Sequence, residues 1–136
     1  QEILNVGFKN VDGTDFSDKM LYEAKNKNIY KRLFNLDLNN NFYNVNFNYN
    51  AIVAAGIISP HHANPSCLEK CLNILCDSGL LIFSLNDHAV ENKNFMDEIF
   101  MIVDKNFEIL EKTYGDHLPG IKLNSFVYVI KKLKIN

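Results

Sequence analysis

The chain has 136 residues, 47% of them hydrophobic, and a formal net charge of -2. That is enough for a single domain over residues 1–136 with a real core, and too little for two. The near-neutral balance, with its longest basic stretch at Lys131-Lys132-Leu133-Lys134 on a strand end, gives nucleic acid no evident footing.

No apolar run nears the ~20 residues of a membrane helix, and no basic-then-apolar leader opens the chain, so no membrane role is expected. Three cysteines, an odd number, argue against a disulfide framework and for a reducing, cytoplasmic setting.

Taken in order, Gln1 to Gly7 reads as the last turns of a helix ending at a C-cap glycine, as though the chain began inside an element. Phe8 to Thr14 predicts a short strand stopping at Asp15. Ser17 then caps a helix whose apolar stripe is Met20, Leu21 and Ala24, running to about Asn26. Tyr30 to Leu36 predicts a strand ending at Asp37. Between Asn39 and Asn50 asparagines alternate with aromatics and Val45, the composition of a surface loop. Ala51 to Ala55 is a continuous apolar run ending at Gly56, the pattern of a strand buried on both faces.

Pro65 suits a first helical position, and Ser66 with Glu69 resembles a capping box. Leu68, Cys71, Leu72 and Leu75 form that helix's buried face, and Gly79 its stop. Leu80 to Leu85 predicts a second buried strand and Phe95 to Val103 an amphipathic helix. Glu108 to Thr113 and Ser125 to Lys131 predict two strands, joined by a loop from Tyr114 that holds Gly115, Pro119 and Gly120. Strands alternating with helices, then a closing strand pair, predict a doubly wound α/β domain with a mostly parallel sheet.

In such sheets ligands bind at the carboxyl ends of the strands. Asp15, Asp37, Gly56 to His62, and Asn86-Asp87-His88 all fall there. A carboxylate at Asp15 can accept both hydroxyls of a ribose, or it can make a turn or cap the next helix. Asp37 can accept from an adenine amino group, or begin a turn with Asn39 and Asn40. His61 and His62 have no third ligand at metal-site spacing, so no metal is expected. His62, His88 and His117 are candidates for a general base or a substrate hydrogen-bond partner, because imidazole titrates near neutral pH. Cys67, Cys71 and Cys76 have helical spacing, and two share the apolar face, which points to core packing.

Val11-Asp12-Gly13-Thr14-Asp15-Phe16-Ser17-Asp18-Lys19-Met20-Leu21 resembles the second conserved block of class I S-adenosylmethionine-dependent methyltransferases. Leu36-Asp37-Leu38, Ala54-Ala55-Gly56-Ile57-Ile58 and Ser78-Gly79-Leu80-Leu81-Ile82-Phe83-Ser84 resemble the later blocks, in the family's order. The closest subgroup is similar to the Williams–Beuren-region methyltransferase-like proteins, alike at Gly56 to His62, Ser84 to His88 and Tyr114 to Gly120.

The resemblance implies a Rossmann-like sheet with a C-terminal antiparallel strand, S-adenosyl-L-methionine as cofactor, and methyl transfer to a small-molecule or peptide acceptor. It places Asp15 on the ribose, Phe16 on the adenine, Asp37 and Leu38 on the adenine edge, and Ala55 and Gly56 under the methionine moiety, with Met20 also among the cofactor-binding residues. His62, His88 and His117 become candidate bases, with Asp87 orienting one of them.

The family's first strand and Gly-x-Gly-x-Gly turn have no counterpart in residues 1–10. In the family that strand lies between those ending here at Asp15 and Gly56. The expectation is therefore a fragment, the C-terminal two-thirds of the domain, with two open strand edges. It would be marginally folded and bind cofactor weakly or not at all by itself. Two rival readings stay open. One is a nicotinamide-dependent oxidoreductase, which also carries an acidic residue after its second strand. The other is a non-catalytic remnant or binding module. The acceptor and the oligomeric state are left open.

Overall fold

The computed structural model describes residues 2–40 and 48–134, without the side chains of residues 2, 4, 117 and 119. Residues 41–47, most of the asparagine-rich segment, lie outside the described residues. The chain divides into two compact units, Gln1–Phe42 and Tyr43–Asn136.

The first unit holds α1 (Glu2–Asn5), β1 (Asp12–Asp15), α2 (Asp18–Asn26) and β2 (Arg32–Asn35). Gly7 follows α1 at φ +102°, the left-handed conformation a helix terminator uses. β1 and β2 pair in parallel from Asp12 opposite Arg32 to Asp15 opposite Asn35. Strand geometry begins only at Asp12 because that is where β2 starts to supply partners; Phe8, expected within the strand, is exposed. The guanidinium of Arg32 forks onto the Asp12 carboxylate directly opposite, with Nε donating to both oxygens at 3.1 Å. Ser17 caps α2 as expected, its hydroxyl accepting from the Met20 amide at 3.4 Å.

The second unit holds β3 (Tyr49–Ala54), α3 (Ser66–Ile74), β4 (Leu75–Asn86), α4 (Asp87–Glu91), α5 (Lys93–Asn106), β5 (Phe107–Leu118) and β6 (Leu123–Lys132). A 3-10 turn, Pro119–Ile121, joins the last two strands. The sheet order is β3-β4-β6-β5, with β3 parallel to β4 and both remaining pairs antiparallel. This is the α/β arrangement that the alternation of elements predicts, with the Rossmann-like sheet and antiparallel C-terminal strand that the family resemblance implies. β1 and β3 each have a strand partner on one side only among the described residues.

Four expectations change in this unit. β3 is not buried on both faces: Ala54 is buried, whereas Val53, its neighbour on the other face, is 54% exposed. The helices α3 and α5 bury one face of the sheet through Leu68, Cys71, Ile99 and Val103, against Leu81, Phe83 and Ile130. The capping box does not form, because Pro65 is the N-cap of α3 and no side chain bonds there. The helix stops at Ile74 rather than at Gly79, and Cys76 therefore sits in β4 instead of on a helix. Gly79 has a different task. β4 bulges between its pairings to Tyr49 and Ala51, and a Cβ at Gly79 would stand 2.9 Å from the Cys76 carbonyl oxygen. Finally, Tyr114 to Leu118, read as a loop, extends β5, since β6 offers it partners as far as Leu123.

No helix among the described residues is long and apolar enough to cross a membrane.

Candidate functional site

In the first unit the sequence-predicted residues cluster where β1 and β2 end. Asp15 terminates β1 with a half-buried side chain, and its Oδ1 accepts from the Ser17 amide at 2.9 Å. This is the turn contact anticipated as one alternative, and it fixes the carboxylate at the mouth of α2. An ionised carboxylate offers about four lone-pair sites, so this bond leaves capacity for a ligand hydroxyl. Phe16 and Met20 follow, 76% and 54% exposed, an apolar pair beside that carboxylate. Asp37 begins a turn: Oδ1 accepts from the Asn39 amide at 2.9 Å and Oδ2 from the Asn40 side chain at 2.8 Å. Leu38 beside it is half-buried.

The second unit has its own carboxyl edge, where the parallel strands β3 and β4 finish together. Ala55 and Gly56 form an exposed turn, with Gly56 at φ +72°, a conformation that favours glycine. The Gly56 amide donates to the Ser84 hydroxyl at 2.8 Å, tying the end of β3 to β4. Beyond it, residues 58–63 close on themselves through the Ile58–Ala63 bridge. Within that loop the His62 Nδ1 lies 3.0 Å from the hydroxyl of buried Ser59. This gives His62 a held ring, and both it and His61 beside it are exposed.

Asp87 opens α4, a short helix that the sequence reading did not anticipate, capped by Asn86 through the Ala89 amide. Its expected role as an imidazole orienter is not what its contacts serve. One oxygen accepts from the Tyr114 hydroxyl at 3.0 Å and the other from the Asn124 amide at 3.1 Å, so Asp87 staples α4 to the β5–β6 hairpin. His88 is exposed on α4. His117 falls in β5, and its side chain lies outside the described residues. The second unit thus brings Ala55, Gly56, Asp87 and His88 to one sheet edge, but no carboxylate orients an imidazole among the described contacts.

Ser84 and Tyr114 are the working contacts that sequence reasoning did not assign. A serine inside the apolar run Leu80–Leu85 was the available signal for Ser84: buried hydroxyls take partners. Tyr114 gave none, since its partner is 27 residues away.

Among the described residues no three His, Cys, Asp or Glu side chains gather as a metal would require. Burial raises the Cys67 thiol to about 11 and that of Cys71 to about 12, so both are packing groups rather than nucleophiles.

No protein-family model matches this sequence, and no curated protein matches it. Solved structures do. The N-methyltransferase NodS from Bradyrhizobium japonicum WM9 superposes with a TM-score of 0.67 at 11% identity, over 93% of this chain and 75% of that one. Magnesium protoporphyrin IX methyltransferase (ChlM) from Synechocystis PCC 6803, solved with bound SAM, gives 0.67 at 17% identity, over 90% of this chain and 59% of that one. An rRNA methylase from Streptococcus thermophilus gives 0.62 at 18%, over 93% and 75%. The chain therefore has the fold of class I methyltransferases. Likeness at this identity is a statement about fold, and the names of the second and third neighbours carry different acceptors, magnesium protoporphyrin IX and rRNA.

Proposed function

We propose that the chain binds S-adenosyl-L-methionine by its adenosine end and serves methyl transfer to a small-molecule or peptide acceptor. The observation that carries this reading is the end of β1. A turn-fixed carboxylate, Asp15, is followed by exposed Phe16 and Met20, in the order the family resemblance calls for and on a fold shared with methyltransferases.

The residues present fit the adenosine half of the cofactor. Asp15 keeps lone pairs for ribose hydroxyls while Ser17 holds its orientation. Phe16 and Met20 offer apolar cover to a flat base, and Asp37 and Leu38 stand at the end of β2 for the base edge.

When bound, the cofactor supplies a sulfonium methyl group open to attack. The protein's part is to hold donor and acceptor in line, which is where most of the rate is gained. If the acceptor arrives protonated, His62, held by Ser59, is the first candidate to take the proton, with His88 and His117 as the others.

Calorimetric titration with S-adenosylhomocysteine tests the reading. The expected result is weak binding that Asp15→Ala abolishes without altering the circular dichroism spectrum. Binding indifferent to Asp15→Ala, or heat on adding NADH instead, would remove it. A second reading, a non-catalytic binding module, rests on the same Asp15 turn, which asks only for a bound ligand. Binding with no turnover on any acceptor would select that one.

A further inference from the structure

β5 ends the four-stranded sheet, and no strand among the described residues pairs with its outer side. An edge of this kind presents alternate backbone amides and carbonyls ready for another strand. Register shifts between Ile109 and Glu111 and between Asp116 and Leu118 confine the regular ladder to Glu111 through Asp116. Within that run the pleat alternates sides. Lys112, Tyr114 and Asp116 share one face, and Glu111, Thr113 and Gly115 the other.

On the first face a row of rings crosses the sheet toward the edge. Phe83 stacks on Tyr128 with centroids 5.1 Å apart, Phe126 follows at 6.4 Å, and Tyr114 lies 4.6 Å from Phe126. The row ends at Tyr114, which is 51% exposed on the last strand. Its hydroxyl is anchored to Asp87, so little ring freedom remains to be lost on binding.

We propose that this edge pairs with the same edge of a second copy of the chain, antiparallel about a two-fold axis centred on Tyr114. A two-fold axis perpendicular to the sheet keeps each side chain on its own face, so only residues of like parity can stand opposite one another within the regular run. Centring on Tyr114 sets Lys112 opposite Asp116 of the partner subunit, and Asp116 opposite Lys112 of the partner subunit. Tyr114 then meets its own copy, and the ring row continues into the second subunit. Centring on Glu111, Lys112 or Asp116 would oppose like charges, and centring on Thr113 or Gly115 yields no charge pair within the run. The charge pattern therefore selects both the partner and the register.

Sedimentation velocity on the full chain over a wide concentration series tests this. The expected result is a reversible dimer whose dissociation constant rises at least about tenfold in Asp116→Lys and again in Lys112→Asp, with dimerisation restored when the two are combined. Circular dichroism checks that each variant folds, since Lys112 also covers the Phe126 ring at 4.3 Å. Tyr114→Cys leaves both charges in place, and mild oxidation should cross-link it to its copy. A monomer at every concentration, a dimer indifferent to Asp116→Lys, or a Tyr114→Cys variant that does not cross-link overturns the proposal.

Discussion

Among the described residues 2–40, the most sheltered side chains are half-buried, and α2 buries none of its residues fully. In residues 48–134, by contrast, Leu68, Leu81, Leu85, Ala89 and Ile130 expose no surface at all. The first unit is held by local and charged contacts: the Arg32–Asp12 fork, the Ser17 cap, and the Asp15 and Asp37 turns. The second has a hydrophobic core between a sheet face and two helices. A unit of about forty residues without a core sits at the size where chains usually need outside support. The residues proposed to hold adenosine are therefore on the less sheltered unit, and a ligand that binds only the folded form would stabilise it.

The comparison can be broken from the larger side. Phe83→Ala should cost about 3–5 kcal/mol, because the ring is buried and stacked on Tyr128. Denaturant unfolding should show the loss, and hydrogen exchange should place it in β3, β4 and β6 rather than in β1 and β2. Uniform loss of protection across all 136 residues would mean that the two units unfold as one.

Asp87→Ala should cost about 1–3 kcal/mol. Both acceptor oxygens are removed, leaving the Tyr114 hydroxyl and the Asn124 amide without this partner. The change should free the β5–β6 hairpin while sparing the rest of the core, read as faster exchange at Asn124.

In the first unit, Ser17→Ala should cost about 1 kcal/mol of α2 stability, visible as faster exchange at Met20. If the cost matched that of Phe83→Ala, the contrast between the two units would fall.

The smallest effect at ordinary pH belongs to the cysteines. Burial raises Cys67 from 9.0 to about 11 and Cys71 from 9.0 to about 12, so the folded state favours their neutral forms. Their contribution to stability is complete below pH 9 and is lost as the pH climbs through 11 and 12. Denaturation midpoints should lack a thiol-linked fall up to pH 9 and show one above it. Neither thiol should react with iodoacetamide at neutral pH until the protein unfolds.

Much of this was legible in the residues. The Ser17 cap, the strand ends at Asp15 and near Asp37, and the apolar faces of α3 and α5 follow from spacing and side-chain chemistry within a few residues. At Asp15 and Asp37 the sequence allows either a ligand contact or a turn, and the turn contacts are present in both cases. Three features escaped because each depends on a partner far along the chain. Ser84 receives the Gly56 amide across 28 residues, Asp87 reaches Asn124 across 37, and Gly79 is demanded by a bulge that exists only because β4 lies against β3. Periodicity cannot name such partners.

By itself, then, the sequence determined the order and type of most elements and the family they resemble, since propensity, capping and hydrophobic period are local. The tertiary structure decided that β6 lies between β4 and β5, that Asp87 serves the hairpin rather than a histidine, and that β5 ends the sheet with Tyr114 at its edge. Those outcomes depend on which strand edges meet and in what register, and sheet pairing is settled by contacts between distant segments.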